Sequence, residues 1–214
     1  MENLKLKVCG MRDATNVEDV ARLGLDLMGF IFYSKSPRCV KDIGHWENRE
    51  RIIRATQGLH RVGVFVNDDF DHILELADAY QLSYVQLHGQ ESPDFCRRLK
   101  AASKSVIKAI NVTTGEDVRK YHEYEDAVDL FLFDTKTPLA GGSGKQFDWT
   151  ILEAYDGDKP FLLSGGIGPE DVERVKMFLH PKCIGIDLNS KFETEPGLKD
   201  VEKLRTFIEG LRKI

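Results

Sequence analysis

The chain has 214 residues, of which 42% are hydrophobic and 30% charged, with a net charge of −5 and a mean hydropathy of −0.33. No apolar run approaches the roughly 18 residues of a membrane span, and the acidic balance, with no basic run interleaved with aromatics, excludes bulk attraction for nucleic acid. The length suits a single α/β barrel, which occupies about 200–250 residues.

Taken in chain order, short β-branched or aromatic runs alternate with longer segments of helical period. The predicted strands are Leu4 to Val8, Leu27 to Phe32, Arg61 to Val66, Tyr84 to Leu87, Ser105 to Ile110, Leu130 to Phe133, Pro160 to Leu163 and Cys183 to Leu188. The clearest helix follows the third strand, over Phe70 to Tyr80, where Ile73, Leu74, Ala77 and Tyr80 recur at helical spacing after Asp68 and Asp69. Asp148 to Tyr155 leaves room for only about two turns. Another helix opens at Pro169-Glu170-Asp171 and runs through Val172, Val175 and Phe178, and the last spans Leu198 to Leu211. Gly141-Gly142-Ser143-Gly144 is too short to act as a linker between domains, so residues 1–214 are expected to form one.

Eight strands separated by helices admit a closed (β/α)8 barrel or an open doubly wound sheet. The open sheet requires G-x-G-x-x-G after its first strand. Here that strand leads into Cys9-Gly10-Met11-Arg12-Asp13-Ala14, so the barrel is preferred. The N-terminal Met1-Glu2-Asn3-Leu4-Lys5 has no apolar signal core, and Cys9, Cys39, Cys96 and Cys183 form no C-x-x-C pair. Free thiols in a cytoplasmic protein are therefore expected.

Barrel enzymes build their sites from the C-terminal ends of the strands. Those ends carry Cys9, Arg38, Asn67, Gln86 with His88, Asp134, Ser164-Gly165-Gly166 and Asp187-Leu188-Asn189-Ser190. Strand alternation puts Lys5, Lys7 and Cys9 on one face and apolar Leu4, Leu6 and Val8 on the other. If the apolar face meets the helices, Cys9 points into the barrel rim above Lys7, whose ammonium would favour thiolate. A small buried cysteine is usually inert, and rim position is what argues otherwise. By the same alternation Asp134 continues the inward face of Leu130 and Leu132. Two opposed titratable groups suit proton shuttling, whereas Ser164 lacks the turn of a nucleophilic serine.

Gly165, Gly166, Asn189 and Ser190 fall in the loops after strands seven and eight, where barrels commonly hold phosphate on backbone N–H groups. Arg38 offers a bidentate fork for a carboxylate. The charged runs Glu47 to Arg51 and Lys199 to Arg205 read as solvated helix faces.

These residues fall into motifs that resemble the phosphoribosylanthranilate isomerase family essentially end to end. They are Lys7-Val8-Cys9-Gly10, Gly29-Phe30-Ile31-Phe32-Tyr33 with Ser36-Pro37-Arg38, Val62-Gly63-Val64-Phe65-Val66-Asn67, and Val85-Gln86-Leu87-His88-Gly89. Further on come Phe133-Asp134-Thr135-Lys136-Thr137, Gly141-Gly142-Ser143-Gly144-Lys145 with Phe147-Asp148-Trp149, and Leu163-Ser164-Gly165-Gly166. The resemblance implies a (β/α)8 barrel that performs an Amadori rearrangement of a phosphoribosyl substrate, in tryptophan biosynthesis, with no metal or organic cofactor. It implies Cys9 as general base, Asp134 as general acid and Arg38 on the anthranilate carboxylate. Lys7, Asn67, Gln86 and His88 would line the substrate, with Gly142, Ser143, Gly144, Gly165, Gly166, Asn189 and Ser190 on the phosphate. The partner is thus a small molecule, not nucleic acid or membrane, and the chain is expected as a monomer or homodimer.

One departure stands out. Many members read D-V-S-S-G-V-E where this chain has Asp187-Leu188-Asn189-Ser190-Lys191-Phe192-Glu193. If the replaced glycine uses positive φ, Lys191 carries a steric cost and the loop differs locally, with its ammonium available to phosphate. Two other readings share the barrel: the related histidine-pathway sugar isomerase, which generally has aspartate at the position of Cys9, and a silent phosphosugar-binding barrel.

Overall fold

The computed structural model describes residues 4–40, 46–135 and 148–213. Its parallel strands are β1 (Lys5–Val8), β2 (Leu27–Ile31), β3 (His60–Phe65), β4 (Tyr84–Leu87), β5 (Ser105–Val112), β6 (Leu130–Thr135), β7 (Phe161–Leu163) and β8 (Cys183–Leu188). They pair in that order and β8 closes on β1, so no edge is left open. The expected barrel is therefore present. β5 and β6 run further than predicted, to Val112 and Thr135, so Asp134, expected to close the sixth strand, lies within it in register with Asn111.

Helices α1 (Ala14–Ala21), α2 (Trp46–Ala55), α3 (Phe70–Ala79), α4 (Pro93–Ala101), α5 (Gly115–Arg119), α6 (Val172–Met177) and α7 (Val201–Arg212) pack outside the barrel. Local chemistry sets their starts. Asp13 caps α1 by accepting from Asn16 N, Ser92 caps α4 just before Pro93, and Thr114 forms a capping box with Asp117 at α5. In α3 the buried stripe is Ile73, Leu76, Ala77; Leu74 is half-buried. Asp148 caps a 3₁₀ turn over Trp149–Ala154, and Pro169–Asp171 is a 3₁₀ entry to α6.

The last predicted helix starts late. Leu198–Lys199 is strand β10, paired antiparallel with β9 (Glu193–Glu195), and α7 begins only after Asp200, whose side chain accepts from Lys203 N. Gly197, at φ 87, turns the hairpin, and a strong N-cap one residue past β10 resets the period from two to 3.6. Lys199 is consequently buried, at 2% exposure, instead of lying on a solvated face.

Strand alternation sorts the core into two layers. Leu6, Val8, Phe131, Phe133 and Phe161 face the helices, each such burial stabilising by about 1.5–3 kcal/mol. Leu27, Val62, Ile107, Ala109, Leu130, Leu132 and Leu162 fill the barrel interior. Above that plug, toward the C-terminal rim, the buried residues turn polar: Lys7, Gln86, Lys108 and Asp187. Among the described residues no helix is long and apolar enough to cross a membrane.

Candidate active site

Cys9 follows β1 directly, and its N–H donates to Leu188 O at 2.9 Å, which pins it beside the end of β8. Its side chain packs with Ile31, Val64 and Tyr33. Gly29 makes this possible, because a Cβ there would sit 2.7 Å from the Cys9 sulfur. Beneath the thiol, fully buried Lys7 donates from Nζ to Asp187 Oδ1 at 2.9 Å. Burial works against the Lys7 charge, but Asp187 and then Cys9 outweigh it and hold the ammonium above its ordinary pKa. For Asp187, burial dominates and raises the carboxyl pKa against the pull of Lys7, with Asp134 adding to the rise.

The expected preference for thiolate is not met at rest. Burial raises the Cys9 pKa, and the lowering by Lys7 and by Lys199 does not overcome it. The ammonium has the predicted place and sign; desolvation is the larger effect.

Across the rim, Asp134 Oδ2 lies 3.4 Å from His88 Nε2, and both side chains are largely buried. Gln86 Nε2 donates to His88 Nδ1 at 3.1 Å, which leaves the imidazole proton on Nε2, facing Asp134. Asp134 Oδ1 accepts from Thr135 N at 2.8 Å. Gly165 packs against Asp134 and Thr135, and Ser164 Oγ donates to Asp187 Oδ2 at 3.4 Å. Asp187, between Lys7 and the Asp134–His88 pair, therefore links the Cys9 end of the rim to the Asp134 end.

Other predicted site residues are brought to the same rim with their polar atoms already engaged. Asn67, at φ 50, accepts from Gln90 N through Oδ1 and donates its backbone N–H to Glu91. Glu91 is buried and paired with Lys108 at 2.8 Å, so this group ties together the loops after β3 and β4. Arg38, buried, donates from Nε and Nη2 to Glu193 at 2.7–3.0 Å. Asn189 follows β8 directly, and its Oδ1 accepts from Lys199 Nζ at 2.7 Å. Ser190 opens a 3₁₀ turn through Phe192 that holds Lys191 exposed and without positive φ, so the anticipated strain at Lys191 does not arise. Gly165 and Gly166 both have positive φ. Gly142, Ser143 and Gly144 lie outside the described residues. No group of three or more His, Cys, Asp or Glu that could hold a metal occurs among the described residues.

Glu193 and Lys199 escape the sequence reading as site residues, although the Pro196-Gly197 turn between two short runs is a hairpin signal that could have found them.

A closed parallel barrel with titratable side chains gathered at its C-terminal rim is a (β/α)8-barrel enzyme. The family model described as N-(5'phosphoribosyl)anthranilate (PRA) isomerase matches residues 6–210. The N-(5'-phosphoribosyl)anthranilate isomerase of Parabacteroides distasonis is 49% identical, over 96% of this chain and 92% of its own length. The phosphoribosyl anthranilate isomerase structure from Thermotoga maritima superposes with a TM-score of 0.85 at 35% identity, with 98% of each chain covered. A further phosphoribosyl anthranilate isomerase structure, in complex with reduced 1-(o-carboxyphenylamino)-1-deoxyribulose 5-phosphate, gives a TM-score of 0.82 at 32% identity, again over 98% of each chain. The chain belongs to the N-(5'-phosphoribosyl)anthranilate isomerase family.

Proposed function

We propose that this aldose–ketose isomerase carries out its step of tryptophan biosynthesis by acid–base catalysis between Cys9 and Asp134. The substrate is N-(5-phosphoribosyl)anthranilate. Asp134, as carboxylic acid, protonates the ribose ring oxygen; the C1–O bond breaks as the anilino nitrogen's lone pair forms C1=N, giving a Schiff base. Cys9, as thiolate, then takes the C2 proton. The C–H electrons become C1=C2 and the C=N electrons return to nitrogen, leaving an enolamine. Proton transfer from the C2 hydroxyl to C1 gives 1-(2-carboxyphenylamino)-1-deoxyribulose 5-phosphate, an isomer of the substrate; Cys9 then releases to water the proton taken from C2, and Asp134 regains one from water, which resets both groups.

The observation that carries this reading is the buried line from Cys9 through Lys7 and Asp187 to the Asp134–His88 pair. It supports this reading because two titratable side chains at opposite ends of one rim can serve as base and acid, and a positioned group of that kind contributes about 10²–10⁴-fold. The apolar Ile31, Val64 and Tyr33 beside Cys9 suit the aryl ring, and Arg38 suits its carboxylate. Gly165, Gly166, Asn189 and Ser190, with Gly142, Ser143 and Gly144, are the phosphate loops of this reading. Lys7 acts from beneath the base; Gln86 and His88 orient the acid. One barrel is the whole catalytic unit, as monomer or homodimer, and a working thiol suits the reducing cytoplasm.

Loss of phosphoribosylanthranilate fluorescence on adding the purified protein tests the reading, with the histidine-pathway sugar substrate as a second arm. Turnover of the first well above the second is expected. No turnover of the first overturns it.

A further inference from the structure

Arg38 has two edges that can grip a carboxylate: Nε with Nη2, and Nη1 with Nη2. Glu193 holds the first, through three hydrogen bonds of 2.7–3.0 Å, and Nη1 has no hydrogen-bond partner among the described residues. Glu193 is itself fixed from behind. Lys199 Nζ donates to its Oε1 at 2.5 Å, and Gly197 N donates to the same oxygen at 3.1 Å. Lys199 is held by its backbone, whose N–H donates to Asn16 Oδ1 at 2.8 Å and whose carbonyl accepts from Asn16 Nδ2 at 2.9 Å. Its ammonium also reaches Asn189 Oδ1, at 2.7 Å.

The surroundings keep this assembly in place. Gly10, at φ 78, has no side chain, and a Cβ there would come within 2.8 Å of Arg38 Cδ and 2.7 Å of Asn189 Oδ1. Arg12 lies against Gly197 and donates to Pro37 O at 3.0 Å, tying the hairpin turn to the loop that carries Arg38. Two buried cations and one carboxylate leave one excess positive charge, which matches a single carboxylate on a ligand.

We propose that Glu193 and Lys199, on the β9–β10 hairpin, are positioning residues that hold Arg38 by one edge so that its free Nη1–Nη2 edge receives the substrate carboxylate. The inference rests on the reading of Arg38 as carboxylate clamp and extends it. Through Asn189 the same lysine ties the clamp to the loop assigned to phosphate, so one hairpin registers both ends of the substrate against Cys9.

The test is calorimetric binding of two probes: reduced 1-(o-carboxyphenylamino)-1-deoxyribulose 5-phosphate and the same compound without the carboxylate. Glu193→Gln alone would mix loss of the hold with a gain of positive charge. The double variant Glu193→Gln/Lys199→Met removes one charge of each sign and leaves the excess unchanged. Its preference for the carboxylated probe, the ratio of the two dissociation constants, should fall about tenfold, as for loss of one well-aligned charged hydrogen bond. Any loss at the Asn189 loop affects both probes and cancels in the ratio. Glu193→Asp keeps every charge but shortens the reach by one methylene; it should lower the ratio in the same direction and serves if the double variant does not fold. An unchanged ratio in a folded variant overturns the inference alone. Failure of Arg38→Ala to lower the ratio, or of the unsubstituted protein to bind the carboxylated probe, overturns the clamp reading and the inference with it.

Discussion

At Cys9 two effects of opposite sign meet. Lys7 and Lys199 draw the thiol toward thiolate, while burial resists charge more strongly, and the proton stays on at neutral pH. A base with a raised pKa gains activity as pH rises, so kcat/KM should keep climbing through and beyond the ordinary thiol range. A profile flat from neutral to strongly alkaline pH would refute the assignment. Arg38→Ala should raise KM for the carboxylated substrate by about 10–100-fold, the worth of a charged hydrogen bond, with a smaller change in kcat. Steady-state rates measured from below KM to saturating substrate check this; an unchanged KM would remove Arg38 from the clamp. Much of this site is legible in residue alternation, since Lys7 and Cys9 share a face and Asp134 continues that of Leu130 and Leu132. The sign of the Cys9 shift is not legible, because it depends on how much water the finished fold excludes.

Among the elements, the hairpin after β8 is what sequence periodicity conceals. The run Lys199 to Arg205 has the charge of one exposed helix face, yet its first residue belongs to β10 and points its ammonium into a buried cluster. Two residues of strand are too few to show a period of two, and Leu198 with Val201 fits a helical stripe equally well. Caps are easier to read, as at α5. There the Asp117 carboxylate is opposed by burial but held by Lys120 and the Thr113 backbone, which lower its pKa to about 2. A lowered folded-state value stabilises above the unfolded value, 3.8, and that contribution disappears as pH falls toward 2. Asp117→Asn should therefore cost about 1 kcal/mol near neutral pH and progressively less in acid, as read by urea unfolding. An equal cost at both ends of that range would contradict the charged cap.

For the molecule as a whole, the barrel was readable because eight short β-branched or aromatic runs alternate with segments of helical period along the chain. The closure of β8 on β1 was an inference from strand number and the missing dinucleotide fingerprint, and the structure bears it out. Every residue assigned to catalysis comes from one chain, so specific activity per chain should not change on dilution through any dimer dissociation followed by sedimentation. Activity that disappears with the dimer would require a contribution from a second copy. The most direct test of the central claim is phosphoribosylanthranilate turnover, followed by fluorescence, in Cys9→Ser and Asp134→Asn variants that still bind the reduced product analogue. In each, kcat should fall by about 10²–10⁴-fold while binding is retained. Turnover at the unsubstituted rate in either variant would contradict the claim.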